Sequence, residues 1–377
     1  MYYNDYKEIK LSGLGFGAMR LPTLDNDAGK IDEKSTAKMV EYAMKNGINY
    51  YDTAFGYHMG NSEIVMGKIL KNYDRKSFYL ATKFPGYDIN NIKKPKETFE
   101  KQLEKLQVDY FDFYLFHNVC EANIDAYMDE QYGVFSYLKE QKDKGRIVHL
   151  GFSTHGNLET MERFLKKYGK DMEFCQIQLN YLDYSFQKAR EKIELLEKYN
   201  IPIWVMEPLR GGRLSKLTDE QEAILKKQRP DETIPAWGFR FLQTIPSVKM
   251  ILSGMSDMNQ LEENIKTFEE KKPLNIEEKV AVNDVVKSLL ANKIIGCTGC
   301  GYCLSGCPHE LKIPDLIALY NELKFTGNAF FVQMKVSEFP EDKRPQACEA
   351  CRNCEEVCPQ QIKISEVMAD FVEKLKQ

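Results

Sequence analysis

The 377-residue sequence predicts an α/β protein, a (β/α)8 TIM barrel followed by a small, mainly helical unit. Three observations predict it. Eight short apolar runs alternate with longer amphipathic stretches from residue 11 to about residue 270. The alternation stops at a charged, proline-bearing segment, EEKKPLNIEEK (269–279). Beyond it, eight of the ten cysteines crowd between Cys297 and Cys358.

The apolar runs are 15–20, 49–54, 78–83, 110–117, 149–154, 174–180, 202–208 and 248–254. Each is rich in β-forming residues and short enough for a strand buried on both faces. Helical patterns lie between them, at 34–47, 61–72, 96–107, 157–169 and 186–200. Asn61, with Ser62 and Glu63 behind it, reads as a helix start, and Gly47 and Gly169 stand where helices should stop. Eight strand–helix units in this length match a TIM barrel. A doubly wound open sheet is the alternative, and the unit count favours the barrel. We expect the barrel over 1–272 and the second unit over 273–377, with helices at 277–293 and 313–324 in the latter.

Composition excludes several function classes. The formal net charge is −4, so no basic excess points to nucleic acid or to an anionic membrane surface. The start, MYYNDYKEIKL, lacks the basic and apolar regions of a signal peptide. No run approaches the roughly 18 apolar residues of a membrane span. The expected location is the cytoplasm, where clustered cysteines point to metal rather than to disulfides.

Cys297, Cys300, Cys303 and Cys307 follow the spacing C-x2-C-x2-C-x3-C and precede Pro308; Cys348, Cys351, Cys354 and Cys358 repeat it before Pro359. Three thiolates on a tight loop reach three irons of one cubane, and the fourth turns to the partner cubane. One cluster is therefore expected on Cys297, Cys300, Cys303 and Cys358, the other on Cys348, Cys351, Cys354 and Cys307. Structural zinc is the alternative, but it favours paired C-x2-C units closed at four ligands. The module resembles bacterial-type ferredoxins, most of all the α-helical variety, which implies two 4Fe-4S clusters. Cys120 and Cys175 lie outside the motifs and read as small buried hydrophobes.

Four polar residues stand at or just after successive strand ends: Asp52, Tyr57, Lys83 and His117. The ends of barrel strands are where TIM-barrel chemistry is done. Each alone has a structural reading as a salt bridge, a core phenol or a capping imidazole; four in succession make a site. The segment DTAFGYHMGNSEIVMGKIL, followed by ATK and then FH, resembles the aldo/keto reductase superfamily, whose Asp, Tyr, Lys and His tetrad falls on these positions. The resemblance implies carbonyl reduction with Tyr57 as general acid. A phenol of pKa near 10 is a sluggish donor at neutral pH, and an ammonium at Lys83 is expected to lower it. Asp52 would hold Lys83, and His117 would orient the carbonyl.

The resemblance also implies NADPH or NADH as hydride source, with Ser153, Gln176 and Asn180 at the carboxamide. It places the loop 207–214, with Leu209, Gly211 and Gly212, at the pyrophosphate. The segment 253–264, with Gly254, Ser256, Gln260 and Asn264, falls at the adenosine. GLGFG (13–17) is a barrel strand rather than a dinucleotide fingerprint. Three departures from the family pattern stand out. Thr154 replaces the usual Asn, Met206 replaces a frequent aromatic, and Ser256 with Asp257 offers no cation for a 2′-phosphate, which allows NADH. Arg210, Arg213 and Arg240 are the candidate compensating cations. His58, beside Tyr57, has two readings, a structural one and one at the substrate pocket. His149 reads as structural, His155 as a cap or cofactor contact, and His309 as tuning the polarity near a cluster.

The sequence leaves three readings open. The clusters exchange electrons with the barrel's chemistry or with a redox partner protein; or the barrel is an autonomous carbonyl reductase with structural or sensing clusters; or the barrel is a scaffold in an electron-transfer subunit. Clusters move single electrons and nicotinamide moves hydride, so a flavin is a candidate mediator, although no flavin motif is present. Aromatic residues near the strand ends suit an aldehyde, a ketone or a quinone-like ring.

Overall fold

The computed structural model describes residues 1–377 except Asn26, Asn292, Lys293, Thr298, Cys300, Tyr302, Ser305, Pro359 and Gln377. Lys293, Cys300 and Pro359, singled out above, thus lie outside the described residues. The chain divides into two compact units, Met1–Asn283 and Asp284–Gln377, and the division falls within the helix Ile276–Leu290.

The first unit opens with a hairpin that the apolar pattern did not reveal, β1 (Tyr3–Tyr6) and β2 (Ile9–Ser12). Eight parallel strands follow: β3 (Leu14–Gly17), β4 (Tyr50–Asp52), β5 (Tyr79–Phe84), β6 (Phe111–Phe116), β7 (Ile147–Thr154), β8 (Cys175–Gln178), β9 (Ile203–Met206) and β10 (Val248–Gly254). They close into a barrel in the order β10-β3-β4-β5-β6-β7-β8-β9. All eight expected strands are present, and the open-sheet alternative falls away.

Alternation along the strands sorts side chains into two cores. Tyr50, Ala81, Phe113, Leu115, Phe174, Trp204, Met250 and Leu252 fill the barrel interior, and Tyr6 and Leu11 of the hairpin pack against them from below. The outward set, including Phe16, Tyr51, Leu80, Tyr114 and Phe152, packs on the helices through Val40, Met66, Phe99 and Phe164. Parity also aims the site. Asp52 follows inward Tyr50 by two residues, Lys83 follows Ala81, and His117 follows Leu115. The three therefore face the interior at its open end.

Helices occupy Glu33–Lys45, Ser62–Leu70, Pro95–Leu106, Leu158–Tyr168 and Ala189–Lys198, as the pattern predicts. Gly47 ends the first at φ 87°, a left-handed conformation that glycine adopts without strain. Gly169 instead keeps a right-handed φ of −55°; a Cβ there would come within 2.9 Å of the Tyr199 ring, so close packing selects it. Asn61 does not cap its helix by side chain; its amide donates to the Gly29 carbonyl at 2.9 Å.

The second unit has a core of its own. Leu311, Leu316, Ile317, Tyr320, Leu323, Val332, Met368 and Phe371 pack with buried Cys303 and Cys354. Its further helices are Ile313–Thr326, Ala329–Ser337, Asn353–Glu356 and Ile364–Leu375. Among the described residues, no helix is long and apolar enough to cross a membrane.

At the lower end of the barrel, Glu173 meets Lys7 and Lys142, and His149 Nδ1 lies 2.8 Å from it. Both ammoniums already engage the carboxylate, so burial and then the two lysines decide the imidazole's state. They push its pKa down to about 4. His149 is structural, as expected. Its unfolded form binds a proton below about pH 6.5 while the folded form stays neutral to about pH 4, so stability falls as pH drops through that window. We expect His149→Phe to remove most of this acid sensitivity. Solvent screening should hold the effect to about 2 kcal/mol, below the full linkage value of roughly 1.4 kcal/mol per pKa unit. Urea melts at pH 7 and pH 4.5 measure it; equal acid sensitivity in both proteins refutes it.

Candidate functional site

Lys83 ends β5 inside the barrel with its side chain 1% exposed. Its ammonium donates to Asp52 Oδ1 at 2.6 Å and to the Thr53 carbonyl at 2.8 Å, and it lies 3.4 Å from the Tyr57 hydroxyl. It also sits 4.9 Å from the centre of the Tyr57 ring. Burial works to discharge Lys83, but Asp52 and Tyr57 outweigh it and raise its pKa. Burial raises the Asp52 carboxyl against the pull of Lys83. The Tyr57 phenol is also raised, by burial first, with Lys83 acting downward. The expected lowering by the ammonium is therefore present but smaller than desolvation.

His117 meets the Tyr57 ring edge-on, with centroids 6.0 Å apart, and meets Tyr87 at 5.6 Å. Its Nδ1 is buried with no hydrogen-bond partner, and so is Asp52 Oδ2. Burial, then Lys83 and His155, hold the imidazole well below its usual pKa. The ring is thus neutral at physiological pH, able to give or take a hydrogen bond without adding charge.

Behind Lys83 stands a second buried set that the sequence reading missed. Glu63, fully buried, accepts from Thr82 Oγ1 at 2.7 Å, Gln102 Nε2 at 2.6 Å and Lys105 Nζ at 2.6 Å. Gln102 also donates to the Lys83 carbonyl at 3.0 Å, and Lys105 to the Phe55 carbonyl at 3.3 Å. Gly67 permits this: a Cβ there would come within 2.4 Å of the Lys105 carbonyl, so glycine lets the helices Ser62–Leu70 and Pro95–Leu106 close up.

Around the barrel mouth the expected cofactor residues divide. Ser153 and Gln176 are paired in register on β7 and β8. Ser153 Oγ accepts from the Asn118 N–H at 2.8 Å, and buried Gln176 Oε1 has no partner. Such an orphaned acceptor suits an amide donor. Thr154 faces away: its hydroxyl donates to the Val119 carbonyl at 2.6 Å and accepts from Gly156 N–H at 2.9 Å. Asn180 is fully buried and committed, donating to Asp183 Oδ2 and the Glu207 carbonyl and accepting from Leu182 and Asp183 N–H.

In the loop after β9, Gly211 and Gly212 take φ 65° and 90°. The Leu209 carbonyl accepts from Gly212 and Leu214 N–H. Arg210 is buried against Asp183, Nε to Oδ1 2.9 Å, and Arg240 is buried with Glu232 and the Glu270 carbonyl. Two of the three candidate compensating cations are therefore spent internally. After β10, Ser256 Oγ donates to the Arg20 carbonyl at 2.9 Å, Gln260 bonds Asp257 and Ser256, and Asn264 donates to Ser253 Oγ at 3.2 Å. Arg20, unremarked in the sequence, lies alongside: Cβ atoms on Gly254 and Gly211 would sit 3.2 Å from its stem and 3.0 Å from its Nη2.

The cysteines form two cavities. One is lined by Cys297, Cys303 and Cys358 with Ile317, Ile362 and Ile364. The other is lined by Cys307, Cys348, Cys351 and Cys354 with Leu311 and Ile313. Cys300 lies outside the described residues. The described residues of the two loops turn left-handed at equivalent places. Gly299 and Gly301 take φ 70° and 79°, and Ala350 and Arg352 at the equivalent places take 55° and 66°. Three residues after each last cysteine, Glu310 and Gln361 take 49° and 52°. Left-handed residues between right-handed or extended ones turn successive N–H groups into a concavity that suits an anionic cluster. His309 pairs with Glu349 at 2.9 Å beside the second cavity.

A closed parallel barrel with buried Asp52 and Lys83 and half-buried Tyr57 and His117 at its strand ends suits an oxidoreductase. The chain belongs to the aldo/keto reductase family, which residues 13–287 match, and residues 296–363 match a 4Fe-4S dicluster domain. It is 26% identical over 288 residues to an uncharacterized oxidoreductase of Bacillus subtilis (strain 168), covering 68% of this chain and 87% of that one. It is 24% identical over 301 residues to the NADH-specific methylglyoxal reductase of Escherichia coli (strain K12), covering 68% and 90%. Among solved structures, the holo form of an aldo-keto reductase from Bacillus halodurans superposes with TM-score 0.61 at 25% identity, over 76% of this chain and 96% of that one.

The neutral state of His117 is directly measurable. Its imidazole should stay neutral in nitrogen NMR through the pH at which a free imidazole titrates, near 6.5. A His117 transition near that pH contradicts the electrostatics described here.

Proposed function

We propose that the protein reduces a carbonyl, whether aldehyde, ketone or quinone-like, with Tyr57 as general acid, and that its second unit holds two 4Fe-4S clusters engaged in electron transfer. The observation that carries the reading is the convergence of Tyr57, neutral His117 and the buried Lys83–Asp52 pair at the open end of the barrel.

Asp52 keeps Lys83 charged and aimed, and Lys83 offers its ammonium toward the phenol oxygen. The raised pKa keeps Tyr57 protonated at neutral pH, and Lys83 stabilises the phenolate left when the proton moves to the carbonyl oxygen. His117 orients that oxygen without competing for the negative charge that develops on it. NADH or NADPH, when bound, supplies the hydride. Gln176 Oε1 and Ser153 Oγ are the groups that would hold its carboxamide, and the first fits because its buried acceptor has no other partner. Leu209, Gly211 and Gly212 would lie along the pyrophosphate, with Arg20 reaching toward it. Gly254, Ser256, Gln260 and Asn264 would flank the adenosine. Arg210 and Arg240 are spent internally and Asp257 repels a 2′-phosphate, so NADH should bind at least as well as NADPH.

The cysteines fit the crossed ligation: Cys297, Cys300, Cys303 and Cys358 for one cluster, and Cys307, Cys348, Cys351 and Cys354 for the other. Each cavity gathers three cysteines of one motif or their described members, and the last cysteine of the other. The clusters, when present, move one electron each. Hydride carries two, so coupling needs a flavin or a redox partner protein to divide the pair. We place the reaction in the cytoplasm.

Two measurements test this. Tyr57→Phe should lower kcat by about 10³-fold, within the 10²–10⁴-fold usual for general acids, with cofactor affinity unchanged; retained turnover refutes the assignment. NADH or NADPH added anaerobically should bleach the iron–sulfur absorption band. An unbleached band, with added carbonyls still reduced, favours an autonomous barrel whose clusters are structural or sensing.

A further inference from the structure

Among the described residues, the Tyr57 hydroxyl has one hydrogen-bond partner, Lys83 at a long 3.4 Å, so the loop that carries it does much to set its place. That loop is unusual. His58, Met59 and Gly60 follow Tyr57 with φ 52°, 56° and 90°, three left-handed residues in a row, of which only the last is glycine. Residues without glycine's freedom stay in that region only when their surroundings hold them.

What holds them is the His58 ring. Its Nε2 accepts from the Leu21 N–H at 3.1 Å, and its Nδ1 lies 2.8 Å from the Ala28 carbonyl. A carbonyl can only accept, so Nδ1 carries the proton and the ring is the neutral Nδ1–H tautomer. Both nitrogens are consumed by backbone from two points of the 18–31 segment, which leaves none to offer a substrate. Of the two readings of His58, these bonds favour the structural one. Asn61 Nδ2 to the Gly29 carbonyl and Ser62 Oγ to the Ala18 carbonyl, both 2.9 Å, extend the same seam. The far side of the 18–31 segment carries Arg20, whose carbonyl receives Ser256 Oγ and whose side chain lies against Gly211 and Gly254.

We propose that His58 is a positioning residue: its neutral imidazole staples the Tyr57 loop to the 18–31 segment bordering the cofactor cleft, and thereby sets the phenol's place for proton transfer. The proposal rests on Tyr57 being the acid. An imidazole serves because one rigid ring presents a donor and an acceptor in opposite directions, and a misplacement of about 1 Å at a reacting group can cost 10²-fold in rate.

The test uses the full-length, cluster-loaded protein and compares His58→Ala, His58→Gln and Tyr57→Phe. His58→Ala should lower kcat by about 10- to 100-fold. Its NADH dissociation constant by calorimetry and its melting temperature should stay close to wild type. Glutamine keeps one donor and one acceptor, so His58→Gln should recover most of the rate. Added imidazole should partly restore His58→Ala and leave Tyr57→Phe unchanged. The proposal is overturned if His58→Ala turns over like wild type while Tyr57→Phe is inactive. It is equally overturned if both His58 variants lose turnover, cofactor affinity and melting temperature together. If Tyr57→Phe itself turns over normally, the acid assignment has failed instead.

Discussion

A lysine ammonium buried inside a barrel cannot exist unless a carboxylate meets it, and Asp52 does so at 2.6 Å. Breaking a buried pair by removing one partner costs about 3–5 kcal/mol, because the remaining charge is left dehydrated. The pair can form only if β4 and β5 keep the register that sets Asp52 beside Ala81 and aims Lys83 inward two residues later. A slip of β5 by one residue would turn Lys83 into the apolar shell and away from Asp52. The aromatic interior below and the Glu63, Gln102 and Lys105 set behind exist in part to secure that register. Gln102 grips the backbone of Lys83 itself, and Lys105 grips Phe55 at the start of the Tyr57 loop.

The same economy governs the barrel mouth. Polar groups such as Thr154, Asn180 and Arg240 are engaged by their neighbours and shape the loops. Among the described residues, the buried atoms with no hydrogen-bond partner include Gln176 Oε1, His117 Nδ1 and Asp52 Oδ2. A buried polar atom without a partner costs free energy. A ligand that supplies the missing partner recovers that cost. Thr154, where the family pattern has Asn, anchors the β7 turn to the Val119 carbonyl instead.

In the cysteine-bearing unit the constraint is conformational. The two loops carry different residues at equivalent left-handed positions: Gly299 and Gly301 in the first, Ala350 and Arg352 in the second. The left-handed conformation costs a residue with a Cβ roughly 1–2 kcal/mol. The second loop accepts that cost twice and places Arg352 at its cavity. An iron–sulfur potential responds to such a difference in polarity.

The eight strands, the helices between them, the cysteine spacing and the four strand-end residues are all legible in the sequence, because each depends on neighbours within a few positions: periodicity, a turn residue, a fixed number of intervening residues. The hairpin under the barrel escaped because two four-residue strands have too little pattern to stand out. Glu63, Gln102 and Lys105 escaped because nothing local marks a buried ion pair whose members lie on different helices. Asn180 and His58 have side chains of a type that suits a ligand, but nothing local reveals that their hydrogen bonds go to Asp183 and Glu207, and to Leu21 and Ala28. By itself, then, the sequence determined which elements form and which chemical groups stand at their ends, since those follow from local periodicity and spacing. Only the tertiary structure decided which of those groups are consumed by their neighbours and which remain to act, because a hydrogen-bonding capacity is spent through space on partners the chain order does not reveal.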